Sequence, residues 1–156
     1  MTDPIIHWPD EQAEQVQAAR GRLEVAAPAL AERPREEVVT VLGRVLDRFR
    51  DPRSDWHIAL RDGSVENAAF SREMVSAGLE LALSDWSGEA LAALVARELD
   101  QPYLAMGRQI APFPLTSVIL AGAIPMPNLL ASMLPLLVGS PALIKSASLD
   151  PLTPVL

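Results

Sequence analysis

From Gln109 to Ile144 the chain runs 36 residues without a charged side chain. About 20 consecutive apolar residues can span a bilayer as a helix, so a membrane segment is the first reading to weigh. Pro125, Pro127, Pro135 and Pro141 interrupt the run, with Gly122 and Gly139 between them. The longest proline-free piece, Leu115 to Ile124, is too short to span. Short apolar pieces set between turn residues suit strands and a helix covered on both faces. The run therefore reads as strand, turn, helix, strand. Thr116 to Ala121 is a β-branched strand and Gly122 to Pro127 a turn. Asn128 caps a helix that extends to Val138 and stops at Gly139, and Pro141 to Lys145 is the second strand. A connection of this length predicts a parallel β-α-β unit with a right-handed crossover. Pro135 should kink its helix.

The chain before this run is different in kind. It holds 31 of the 33 charged residues within its first 110 positions, and it reads as mostly helical. Val16 to Val25 is weakly amphipathic. Glu36 to Phe49 is stronger, because Val38, Leu42, Val45 and Phe49 share one helical face. Trp56 to Leu60 is short and reads as an edge strand. Ser71 caps a helix to Leu83 with Met74, Leu79 and Leu83 inward. Ser87 caps another to Leu99 with Leu91, Leu94 and Val95 inward, and Pro102 ends it. Tyr103 to Ile110 fits no single pattern.

The last residues begin a further helix. Asp150 is a good N-cap and Pro151 suits the first helical position. One turn does not offset the cost of helix nucleation, and a parallel sheet needs several strands with cover on both faces. The expectation is a domain cut off partway.

With 156 residues, 49% apolar and 21% charged, the chain can bury a core as one domain rather than remain disordered. A net charge of −7 argues against non-specific nucleic-acid binding, which needs a basic face. There is no cysteine, so these residues supply no disulfide, zinc–thiolate site or thiol nucleophile. His7 and His57 are too few for a histidine-rich metal site. The opening Met1-Thr2-Asp3-Pro4 carries acid where a signal peptide would carry base and an apolar run, which predicts a cytoplasmic protein without a membrane span.

Two positions stand out chemically. Lys145 is the only lysine among 13 basic residues, and it ends the second predicted strand. In open α/β sheets ligands bind off the carboxyl edge of the strands, where a lysine can meet a ribose hydroxyl or a phosphate. The alternative is a solvated charge at a strand end. Gly122-Ala123-Ile124-Pro125 follows the first strand at that same edge. Such a turn can aim backbone N–H groups at a substrate oxygen, or it is a plain strand-to-helix connection. Trp8, Trp56, Trp86, Phe49 and Phe70 read as packing, with His57 structural beside Trp56. The arginines at 33, 35, 48, 50 and 53 alternate with acids and read as solvated helix faces.

Taken together, Val118-Ile-Leu-Ala-Gly-Ala-Ile-Pro, Leu136-Leu-Val-Gly-Ser-Pro-Ala-Leu-Ile-Lys and Ser146-Ala-Ser-Leu-Asp-Pro-Leu-Thr-Pro resemble the cofactor-domain core of the aldehyde dehydrogenase superfamily. That core has a strand, an Asn-x-Pro turn, a helix ending in Pro-x-Leu-x-x-Gly-Asn, and a strand ending in Lys-Pro-x-x-x-x-Pro. Pro135, Leu137, Gly139 with Ser140, Lys145 and Pro151 fall on that spacing. Within the superfamily the chain looks most like the acyl-CoA reductases of the luminescence type, whose turn reads Gly-Asn-Val-Pro. The segment from Ser71 to Leu83 also looks like that branch's upstream helix. The resemblance covers about residues 55 to 156.

The resemblance implies an α/β fold, with a helical region at 1–54 followed by the incomplete start of a Rossmann-like NAD(P)-binding domain at 55–156. It implies the N-terminal part of an NADPH-dependent reductase that converts a fatty acyl-CoA or acyl thioester to an aldehyde. At full length it implies a homo-oligomer or a fatty-acid reductase complex. By analogy Lys145 would hold the adenosine ribose or its 2′-phosphate, and Ser148 would line the same pocket. The turn at Gly122 and Ala123 would border the thioester carbonyl. Two departures follow. The family's turn asparagine, an oxyanion donor, aligns with Ala123, which has no side-chain donor. The family's nucleophilic cysteine lies well downstream, and this chain has none. Two other readings stay open, an inactive stand-alone nucleotide-binding protein and an interaction protein whose apolar end docks to a partner.

Overall fold

The computed structural model describes residues 10–68, 70–101, 105–107, 110–122 and 125–155. The described residues form six α-helices and one two-stranded parallel sheet, a mixed α/β architecture in which helix predominates. The order is α1 (Asp10–Ala31), α2 (Arg35–Arg50), α3 (Asp55–Ala68), α4 (Arg72–Ser84), α5 (Gly88–Val95), β1 (Thr116–Ile119), α6 (Pro125–Leu137) and β2 (Ala142–Lys145).

α2 is the centre of the helical part. Glu36 and Glu37 in its first turn and Arg48 and Arg50 in its last complement the helix dipole. Leu42, Gly43, Leu46 and Phe49 are buried; of the predicted face Leu42 and Phe49 are fully inside, Val38 and Val45 are half-buried, and Leu46 takes the central place instead. Around them one core gathers Leu60 from α3, Val75, Leu79 and Leu83 from α4, and Leu91 and Val95 from α5. Leu129, Met133 and Leu137 of α6 complete it. α6 touches α2 and α4 as well as both strands, so it couples the helices to the sheet. α1 is exposed along most of its length and reaches the sheet through β2.

Ser71 and Ser87 cap α4 and α5 as predicted, accepting hydrogen bonds from the Met74 and Ala90 N–H groups at 3.2 and 3.0 Å. α5 runs on into a π-helical turn, Ala96–Asp100. Gly139 ends the crossover helix as expected. Its φ is +78°, its N–H donates to the Leu136 carbonyl, and the Ser140 N–H reaches back to the Pro135 carbonyl, each at 3.0 Å. This is a Schellman motif, and it gives the Pro135–Gly139–Ser140 spacing a structural meaning.

Three expectations are corrected. Trp56 to Leu60 is not an edge strand but the first part of α3, whose start is held by Ser54. The Ser54 carbonyl accepts from the Ile58 N–H at 3.0 Å, and its hydroxyl accepts from the Trp56 N–H at 3.2 Å. Alternation over five residues fits a strand, but Leu60 and Ser64 are buried four residues apart, a helical spacing. Met74 is 62% exposed, and its neighbour Val75 turns inward instead, one position further round the helix. Asn128 does not cap α6; the helix starts at Pro125, and the Asn128 side chain is used elsewhere. Proline at the first helical position sacrifices only an N–H that would lack a partner there.

Candidate functional site

β1 and β2 pair in parallel, with Thr116 opposite Ala142 and Ile119 opposite Lys145. Hydrogen bonds from the Thr116 N–H to the Pro141 carbonyl and from the Leu120 N–H to the Lys145 carbonyl, both 2.9 Å, extend the pairing at each end. β-branched and apolar residues make these short strands, and α6 connects them as a helix must between parallel neighbours. Their carboxyl ends therefore open onto one edge.

Gly122 lies beyond β1 at that edge, exposed, with φ +86° and open space where a Cβ would project. A side chain is rarely tolerated at that φ, whereas glycine adopts it freely. Ala123 and Ile124, the rest of the predicted oxyanion turn, lie outside the described residues. Lys145 ends β2 and is exposed. Its ammonium donates to the Ser146 carbonyl at 3.0 Å and pairs with no carboxylate among the described residues. That geometry leaves donors for an incoming acceptor.

Past Lys145 the chain folds into a tight turn, closed by the Asp150 N–H on the Ala147 carbonyl at 3.2 Å. Ala147 and Asp150 at its base are buried, and Ser148 and Leu149 at its tip are exposed. Lys145, Ser148 and Gly122 thus follow the carboxyl ends of adjacent strands. Ser148 adds a hydroxyl to the same loop as the lysine.

The buried end of this loop was only half visible in sequence. Asp150 is 5% exposed and does act as a cap, its Oδ1 accepting from the Thr153 N–H at 3.1 Å and hydroxyl at 2.7 Å. Residues 151–155 nevertheless form turns rather than a helix. The Asp150 Oδ2 accepts from the Asn128 Nδ2 at 2.7 Å, across 22 residues of sequence. Three donors from neutral groups satisfy this buried carboxylate, the condition for burying it at tolerable cost. A signal existed, since Asn128 is the only amide side chain between residues 110 and 144 and a buried amide needs a partner.

The remaining singled-out residues pack or solvate. His57 is buried with Nδ1 2.6 Å from the Phe49 carbonyl. Phe49 and Trp56 meet with ring centroids 5.4 Å apart, and the Arg48 guanidinium lies 4.3 Å over the Trp56 ring. Arg48 also pairs with Asp55 at 2.9 Å, Arg50 with Asp47 at 3.6 Å, and Arg35 with Asp100. Trp8 lies outside the described residues. Among the described residues no group of three or more His, Asp or Glu could hold a metal ion, and no helix is long and apolar enough to cross a membrane. Comparison with protein-family models, curated proteins and solved structures gives no match.

Proposed function

We propose that this chain is the N-terminal part of an NADPH-dependent acyl-CoA reductase, carrying the cofactor edge of the enzyme but not its thiolate. The reading is supported by one observation above the rest. The oxyanion-turn candidate Gly122 and the cofactor candidate Lys145 both lie at the carboxyl ends of two strands paired in parallel through a single crossover helix. Open α/β sheets bind ligands at that edge. Lys145 fits the role of a ribose or phosphate partner, since among the described residues only one of its three ammonium donors is engaged, by the Ser146 carbonyl that follows it. Ser148 contributes a hydroxyl, and Gly122 keeps side-chain bulk away from the turn. When bound, NADPH supplies the hydride. The chain's part is to hold the adenosine end and to border the thioester carbonyl with backbone N–H groups. Attack on the thioester needs a thiolate, and no cysteine among these 156 residues can provide it. In this proposal the cysteine lies in further sequence, and these residues alone do not turn over acyl-CoA.

Calorimetric titration of NADPH into the chain tests the reading. Saturable binding is expected, weakened about tenfold by Lys145→Ala, the order expected for losing a hydrogen bond between charged groups. Absence of binding, or identical affinity in the variant, contradicts it.

A further inference from the structure

Lys145 ends β2, and Ser148 sits on the short loop that follows it, whose exposed tip has little to hold it. A serine at the tip of a two-residue turn and a lysine with four rotatable bonds carry much conformational freedom, and a binding site formed from them would lose affinity to ordering. What the loop does have is a buried anchor on one side. Asp150 closes the turn through its N–H on the Ala147 carbonyl, and its carboxylate faces inward. One carboxylate oxygen takes the Asn128 amide from the first turns of α6, and the other takes the N–H and hydroxyl of Thr153. Asn128 and Thr153 are 2% and 4% exposed, so water does not compete for these bonds. Within α6 the Asn128 backbone carbonyl accepts from the Ser132 hydroxyl at 2.7 Å.

We infer that Asn128, Asp150 and Thr153 form a positioning clamp that fixes the Lys145–Ser148 loop against the start of α6. Of the two loops at the carboxyl edge, one leads from β1 into α6 and the other leaves β2. The Asn128–Asp150 bond ties the helix entered by the first to the base of the second. The distance from Lys145 to the Gly122 turn is thereby set by a buried hydrogen bond as well as by the strand register. None of the three residues touches the proposed ligand; each acts through the loop. The inference rests on the proposed nucleotide role of that edge.

The test is NADPH affinity measured on the full chain with four variants, each checked for intact helical content. Asn128→Ala should weaken binding about tenfold while leaving the spectrum unchanged. Thr153→Val, which keeps shape and removes one donor, should weaken it a few-fold. The exchange Asn128→Asp with Asp150→Asn restores a donor–acceptor pair with the same net charge, so affinity should return to within about twofold of the parent. Lys145→Ala is the control for the edge itself. If the parent binds and Lys145→Ala weakens it, but the clamp variants bind like the parent, the clamp is overturned and the nucleotide reading stands. If Asn128→Ala weakens binding and the exchange variant stays equally weak, the hydrogen bond is not the cause and the clamp is again overturned. If the parent does not bind NADPH, both fall. Should Asn128→Ala fail to fold, the milder Thr153→Val and the exchange variant decide the matter alone.

Discussion

Gly43 and Gly88 meet backbone to backbone where α2 crosses α5. A Cβ on Gly43 would lie 2.9 Å from the Cα of Gly88, and one on Gly88 would lie 3.1 Å from the Cα of Gly43. Neither neighbour is a side chain that could swing aside. The Asp47 carboxylate accepts from the Gly88 N–H at 3.3 Å beside the crossing, which holds the start of α5 against α2. The close approach lets Leu46, at 0% exposure, and Leu91, at 2%, bury fully in the core the two helices share.

Gly43→Ala should therefore destabilise the fold despite alanine's better helix propensity. Overpacking against backbone costs about 1–3 kcal/mol, and the propensity gain returns only about 0.5–1. Gly78, on the exposed side of α4, has nothing within 4 Å of its Cβ position. Gly78→Ala should stabilise by about 0.5–1 kcal/mol. Urea unfolding of the two variants should shift the midpoint in opposite directions. Shifts in the same direction would contradict the account of the crossing.

Gly139→Ala should cost about 1–2 kcal/mol, because its φ of +78° is strained for an L side chain. A Cβ there would meet the Ala31 Cα at 3.4 Å and the Pro112 Cβ at 3.5 Å, ordinary contact distances, so φ rather than packing carries the cost. Gly139→Asn should cost less, asparagine being the better left-handed residue. Equal loss from both in urea unfolding would assign the cost to packing rather than to φ.

Acid should weaken the α3–α4 contact. Asp62 lies between Arg61 at 2.8 Å and Arg72 at 2.7 Å, and their hydrogen bonds hold its carboxyl below the usual carboxylate value. Hydrogen bonding to Arg48 does the same for Asp55. A depressed folded pKa contributes stability that is fully present above the unfolded value near ~4 and is lost as pH falls through the folded one. These pairs should contribute nothing to pH dependence between about pH 6 and 8, and stability should decline below about pH 4. Asp55 is exposed and Asp62 half-exposed, so salt should shrink the effect. Unfolding curves for Asp62→Asn should show a shallower acid decline than the parent. An equal or steeper decline would contradict the pairing.

Sequence carried the parts of the fold in which one local rule dominates. The prolines of the 36-residue uncharged run pointed to strand, turn and helix, and parallel pairing followed from connection length; the register, Thr116 opposite Ala142, did not. Ser71, Ser87 and Gly139 were readable because a cap or a positive φ selects its residue type. Trp56 to Leu60 was misread because five residues satisfy two periods at once, and the deciding burial of Ser64 lies beyond them. Asn128 was misplaced because proline three residues earlier can open the helix. Its bond to Asp150 depends on how α6 packs over the sheet, which no local pattern encodes. The candidate edge was visible through Lys145, the only lysine in the chain, and through the Gly122–Pro125 turn after the other strand.

The proposal turns on the edge formed by the carboxyl ends of β1 and β2 and the start of α6 being a dinucleotide site. Mapping backbone amide shifts by NMR while NADPH is added measures this most directly. The account predicts saturable shifts at Gly122 and from Lys145 to Leu149, and much smaller ones along α2 and α3. Shifts confined to the end of α2 from Arg44 and the turn that leads to Asp55, or none at the sheet edge, would contradict it.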